Sequence, residues 1–219
     1  MQNINEYIEH TLLKPDATSE QIEKLVKEAL EYNFFGVCVN PFYVKKVSEL
    51  LSTSKTKIVT VVNFPLASNT IETTLFQTEM ALKDGADEID TVLNIPAFKN
   101  NDTKKVLEDI KRTKEVCHNH NLKVILETDL LTKDEIILAC KICADGGANF
   151  VKTSTGFVKN GVGAKGEDVE IMHKIVAPYG MKVKASGGIK TYAQAQKLIE
   201  LGASRLGTSS GVEIIKGER

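Results

Sequence analysis

Gly147-Ala148-Asn149-Phe150-Val151-Lys152-Thr153-Ser154 is one of three copies of a phrase that recurs along the chain. Gly85-Ala86-Asp87 precedes EIDTV, and Gly202-Ala203-Ser204 precedes RLGTS. Each copy follows an amphipathic stretch and leads into a short run of strand-forming residues. The glycine suits the position just past a helix end, where a left-handed backbone is needed, and the residues after it turn into the next strand. The repeating unit is helix, glycine cap, strand.

The opposite ends of the helices are marked too. Thr18 with Gln21, Thr132 with Glu135 and Thr191 with Gln194 fit the capping box, in which each side chain satisfies the other residue's free backbone N–H. Asn40 before Pro41 fits an N-cap and first helical position. Helical periodicity then predicts eight helices, roughly 19–32, 41–52, 70–84, 102–118, 132–145, 167–177, 191–201 and a short one after 210. Eight strand-like runs alternate with them: 7–12, 34–39, 57–63, 88–94, 123–128, 150–154, 182–185 and 205–207. Strict alternation implies right-handed crossovers and a parallel sheet covered by helices. Eight such units in 219 residues make a compact (β/α)8 TIM barrel, expected as a single domain over 1–219. A doubly wound open sheet is the alternative. Against it, no G-x-G-x-x-G turn follows the first strand and no Pro- or Gly-rich linker separates two halves.

Composition narrows the function classes. Hydrophobic residues make up 42% of the chain, enough for a sizeable core. Lys and Arg total 28 against 29 Asp and Glu, so there is no global field to hold a nucleic acid or an anionic membrane. The opening MQNINEYIEHTLLK has no secretory pattern, and no apolar run reaches the length of a membrane span. Cys38, Cys117, Cys140 and Cys143 are too few for a disulfide scaffold, which fits a reduced, cytoplasmic compartment.

In a barrel, the site lies at the C-terminal ends of the strands. Two lysines there stand out. Lys152 sits in a strand short enough to be enclosed on both sides. Lys184 comes from the next strand, where Lys182 and Lys184 share a face and only Lys184 reaches the mouth. Adjacent strands lie about 5 Å apart, so two inward lysines at one depth perturb each other. Burial and a neighbouring cation both lower an amine's pKa, which would make it nucleophilic near neutrality. A lone strand lysine more often only snorkels to the rim; the adjacent pair favours chemistry. Glu88 and Asp90 fall on one strand face, so Asp90 is placed either to relay protons to the lysines or to form a structural ion pair inside the barrel, and spacing leaves both readings open.

The last two strands run into glycine-rich turns, Ser186-Gly187-Gly188-Ile189 and Gly207-Thr208-Ser209-Ser210-Gly211. Loops after strands 7 and 8 are where barrel enzymes bind phosphate through backbone N–H groups. The expected contacts are Gly187, Gly188, Gly207, Thr208, Ser209 and Ser210. Cys140-Lys141-Ile142-Cys143 has a C-x-x-C spacing, but it continues an apolar stripe and reads as core. Cys117-His118-Asn119-His120 lies at a helix end, and no metal is assigned there. His10 is either a site residue or a satisfied polar group; Cys38 is expected to be a small buried residue.

These residues resemble the deoxyribose-phosphate aldolase family. The matching phrases are IEHTLLKPDAT (8–18), GVCVNP (36–41), GADEIDTVLNI (85–95), FVKTSTGF (150–157), KASGGI (184–189) and RLGTSSG (205–211). The resemblance implies a TIM-barrel class I aldolase with Lys152 as the Schiff-base lysine, Lys184 as the lysine that tunes it, and Asp90 as proton donor and acceptor. It also implies phosphate contacts from the two turns, no cofactor and no metal. The expected partner is a small phosphosugar, with no nucleic acid and no membrane, and a homo-oligomer is compatible with the family. Glu9 stands where the family commonly has Asp. The stretch VKNGVGAKGED (158–168) departs from the family's glycine-rich continuation, and the chain ends at GER without the tyrosine that closes a longer tail in some members. Two other readings are another phosphosugar barrel, transaldolase-like or an isomerase, and a silent phosphosugar-binding protein. The paired lysines count against the isomerase and, with Asp90, against mere binding.

Overall fold

The computed structural model describes residues 3–217. Eight strands run in chain order around a closed, all-parallel barrel in which β8 pairs back onto β1. They are β1 (Ile8–Leu12), β2 (Gly36–Val39), β3 (Lys57–Val62), β4 (Glu88–Val92), β5 (Asn121–Ile125), β6 (Phe150–Lys152), β7 (Lys182–Ser186) and β8 (Ala203–Thr208). The helices between and after them are α1 (Ser19–Glu31), α2 (Val44–Leu50), α3 (Ile71–Lys83), α4 (Ile95–Lys99), α5 (Thr103–Cys117), α6 (Lys133–Asp145), α7 (Gly166–Val176), α8 (Tyr192–Glu200) and α9 (Gly211–Lys216).

Local chemistry sets these boundaries. Thr18, Thr132 and Thr191 form capping boxes with Gln21, Glu135 and Gln194, as their spacing predicts. The glycines of the recurring phrase sit just past α3, α6 and α8 with φ of +108°, +76° and +107°. Behind two of them, Ala86 N–H reaches back to the Ala81 carbonyl and Ala148 N–H to that of Cys143, both closing the helix end. Three expectations need correction. Asn40 precedes a short 3-10 turn, Pro41–Tyr43, yet its side chain donates to the Leu13 carbonyl at 3.2 Å instead of capping. A ninth helix, α4, escapes the periodicity because five residues are barely more than one turn; its marks are Asn94, which accepts from Ala97 N–H, and Pro96 in the first turn. Glu127 and Thr128 lie outside the fifth strand, because the chain leaves the sheet after Ile125 and Glu127 adopts a left-handed backbone.

Strand alternation divides the core in two. Outward residues such as Val37, Ile89, Val124, Val151, Val183 and Leu206 pack with the helices. Inward residues form smaller clusters, Leu13–Cys38–Val59–Val61 and Ala67–Val92–Ile125, that line the upper barrel and leave its centre to charged side chains.

Candidate active site

The geometry begins with β4. Ile89 points out to the helices, so Glu88 and Asp90 point in. Register then fixes their neighbours: Lys123 lies opposite Asp90 on β5, Lys152 opposite Ile125, and Lys184 opposite Lys152 on β7. The lysines converge on one carboxylate. Lys123 Nζ donates to Asp90 Oδ1 at 3.0 Å, while Lys152 and Lys184 donate to Oδ2 at 2.8 and 2.7 Å. Lys184 also meets Glu9 Oε2, and Lys123 meets Glu88 Oε2 at 2.6 Å and Glu9 Oε1 at 3.6 Å. Three ammonium groups therefore alternate with three carboxylates, and none of the six side chains is more than 6% exposed. Desolvating so many charges is costly, and their mutual balance is what makes the arrangement tolerable.

Electrostatics follow from that balance. Burial alone would raise the Asp90 carboxyl, but Lys123, Lys152 and Lys184 outweigh it and hold the group well below the usual carboxylate range. Burial alone would depress Lys184, yet Asp90 and Glu9 outweigh it and raise its pKa. Lys123 is raised in the same way, with Asp90 and Glu9 overcoming burial. The expectation that burial leaves a depressed lysine is thus corrected for Lys184: its carboxylate partners make it a firm ammonium.

Only one of the three lysines opens onto solvent-accessible space. Lys152 lines a cavity of about 400 Å³ at the C-terminal mouth, whose far wall is built from the turns at Gly187-Gly188 and Gly207–Ser210. Lys184 and Lys123 lie beneath it, fully buried. Gly207 leaves little room for a side chain, since a Cβ there would stand 3.0 Å from Lys184 Cε. In the turns, Thr208 Oγ1 donates to the Ile189 carbonyl at 2.7 Å and accepts Ser210 N–H at 2.9 Å, so it ties the two turns together. The N–H groups of Lys190 and Thr191 are both taken by Gln194. Those of Gly188 and Ser209 meet no acceptor among the described residues.

Other candidates lie elsewhere. His10 points away from the mouth: its Nε2 pairs with Glu28 at 2.9 Å and its ring packs on Phe34. Cys38 is buried inside the barrel, and burial raises its thiol. Cys140 and Cys143 are buried residues of α6 itself, with Cys140 pushed up to about 12 by burial. Lys182 is exposed at the opposite end of β7, near the Phe150 ring. Sequence reasoning missed Lys123. A strand read as beginning at Lys123 puts that residue at the bottom of the barrel, whereas β5 begins at Asn121 and lifts it level with Asp90. Nor did the sequence give Glu9 its place between Lys184 and Lys123.

A closed parallel barrel that buries amines around one carboxylate, and presents a single one of them to a mouth walled by glycine-rich turns, has the architecture of a barrel enzyme with its site at the C-terminal ends of the strands. The chain belongs to the DeoC/LacD family of aldolases, whose model matches residues 7–217. It is 50% identical to a deoxyribose-phosphate aldolase of Brevibacillus brevis, over 99% of this chain and 97% of that one. It is 51% identical to one of Streptococcus gordonii, over 98% and 96%. Among solved structures, the tetrameric deoxyribose phosphate aldolase of Aeropyrum pernix superposes with a TM-score of 0.88 at 32% identity, covering 97% of this chain and 89% of that one. Among the described residues, no helix is long and apolar enough to cross a membrane.

Proposed function

We propose that this aldolase reversibly cleaves 2-deoxy-D-ribose 5-phosphate to D-glyceraldehyde 3-phosphate and acetaldehyde through a Schiff base on Lys152. The observation that carries the reading is that Lys152 is the lysine of the buried cluster that reaches the cavity, while it keeps 2.8 Å contact with Asp90 below. The relatives' shared activity supports the substrate.

The neutral amine of Lys152 adds to C1 of the open-chain aldehyde, and loss of water gives an iminium. Replacing an ammonium by an iminium keeps the positive charge that Asp90, Glu9 and Glu88 require, so the cluster favours the intermediate on electrostatic grounds. Asp90, through a water, takes the proton of the C3 hydroxyl. The C2–C3 bond then breaks, its electrons pass into the iminium, and glyceraldehyde 3-phosphate leaves. The enamine is protonated at C2, and water returns acetaldehyde and the free amine. Because Asp90 is held as a carboxylate, it keeps the proton only in passing, with Lys184 as the adjacent acid. The phosphate rests against the Gly188 and Ser209 N–H groups, so binding energy at the far end positions the reacting carbons.

We further propose that residues 1–219 act as one aldolase domain, in the cytoplasm and as a homo-oligomer. The test of function is direct. Purified protein is incubated with deoxyribose 5-phosphate and acetaldehyde is measured, then borohydride is added and the modified lysine is located by peptide mass. Cleavage with the adduct on Lys152 is expected. Absence of cleavage, or an adduct on a different lysine, overturns the reading.

A further inference from the structure

The turn between β5 and α6 carries two carboxylates that this chemistry leaves unused. Glu127, with φ of +60°, is buried and accepts the Thr155 N–H at 3.1 Å as well as the Thr155 hydroxyl. Two residues on, Asp129 Oδ2 accepts the Gly163 N–H at 2.8 Å, and Oδ1 pairs with Lys165 at 3.0 Å. One short turn thus grips both feet of the segment 155–165 that follows β6. The near foot, Thr155–Phe157, walls the substrate cavity. The far foot presses on the Gly187-Gly188 turn.

That second contact has no slack. A Cβ on Gly163 would stand 2.4 Å from Gly187 O, and one on Gly188 would stand 2.5 Å from Val162 O. Ala164 N–H donates to the Gly187 carbonyl at 3.0 Å. The Gly187–Gly188 peptide is trans, so its C=O and N–H point in opposite directions. Drawing the Gly187 carbonyl toward Ala164 turns the Gly188 N–H away from Ala164, and Gly188 lines the substrate cavity. A chain of contacts therefore runs from Asp129 through Gly163 and Ala164 to the orientation of a free N–H donor.

We infer that Asp129 is a positioning residue for the phosphate end of the substrate: it touches no substrate atom, and sets the Gly188 donor through the 163–164 backbone. The inference rests on the proposed function, because it presumes a phosphosugar whose phosphate meets that turn. Its signature is a loss of discrimination for phosphate. Asp129→Ala should lower the ratio of kcat/KM on deoxyribose 5-phosphate to that on unphosphorylated 2-deoxyribose by about ten-fold, the weight of one hydrogen bond to a charged group. The change should appear as raised KM for the phosphorylated sugar. Asp129→Asn keeps an oxygen for Gly163 N–H and should restore most of the ratio.

Gly163→Ala is a second, independent variant: its methyl collides with Gly187 O, and it should lower the same ratio. Thermal melting of each variant shows whether it is folded, and the ratio is read at equal concentrations of folded enzyme. An unchanged ratio in both Asp129→Ala and Gly163→Ala, whatever the absolute rates, overturns the inference. Failure of the unaltered protein to cleave deoxyribose 5-phosphate at all would instead sink the proposed function, and that is read first in the same assay.

Discussion

Lys152 and Lys184 face each other in direct register across β6 and β7, and both donate to the same oxygen of Asp90. Two ammonium groups at such spacing repel, and the buried carboxylates are what hold them together. Lys184 is the one fixed in its charge. In the proposed mechanism Lys152 gives up its proton to attack an aldehyde, and Asp90 then still has a cation beside it.

Lys184→Met should test this division of labour. The variant fills the same volume without charge, and kcat for deoxyribose 5-phosphate is expected to fall at least about 10²-fold, the usual weight of a lost proton-transfer partner. Borohydride should still trap an adduct on Lys152, formed more slowly. A kcat within three-fold of the unaltered enzyme's would show that Lys184 takes no part.

The same cluster predicts a pH profile for stability. Asp90 is held below its unfolded value, so its contribution is in place above about pH 4 and drains away as acid protonates it. Lys184 is raised, so its contribution is whole below about pH 10 and is lost only in stronger alkali. Urea unfolding should be flat between those limits as far as this pair is concerned. Asp90→Asn, which leaves Lys152 without a carboxylate partner and takes one of several from Lys123 and Lys184, should cost about 3–5 kcal/mol at neutrality and lose less further stability than the unaltered protein on going to pH 3. Parallel acid limbs for the two proteins would refute the assignment.

Thiol chemistry gives a third expectation. Burial pushes Cys117 up to about 11 and Cys140 to about 12, and it holds Cys143 well above the ordinary thiol value. In the native protein at pH 8 a disulfide reagent should find almost no fast-reacting thiol, and all four should titrate after denaturation. Rapid modification of the Cys140–Cys143 pair would reopen a redox reading of that spacing.

Gly207→Ala probes the packing under the mouth. Its methyl would sit 3.0 Å from both Lys184 Cε and Ser186 Cβ, so an overpacking cost of about 1–3 kcal/mol is expected together with a lower kcat. Urea midpoints and initial rates check both. An active variant of unaltered stability would mean that the lysine has room to move.

Much of this was legible in the chain because short-range chemistry leaves marks. Capping boxes at Thr18, Thr132 and Thr191, and glycines just past α3, α6 and α8, report local backbone needs that the final structure retains. Lys152, Lys184 and Asp90 were legible because strand alternation sends them inward whatever the details. Lys123 was not, because its depth depends on where β5 begins, and that shows only in the pairing of Asn121 with Glu88 on the neighbouring strand. Glu9 was hidden for a related reason. Its role is defined by partners on β5 and β7, and no spacing within one strand encodes that meeting.

The closure of the barrel gives that last contact a temporal meaning. Glu9 and Lys184 are 175 residues apart in sequence, yet they touch at the centre of the finished molecule. A chain emerging residue by residue carries Lys152 long before β7 and β8 have arrived to complete its surroundings. Until the final strand seals against the first, Glu9 and Lys184 have no hold on each other, so the charge balance at the heart of the barrel is completed last, by the act of closing.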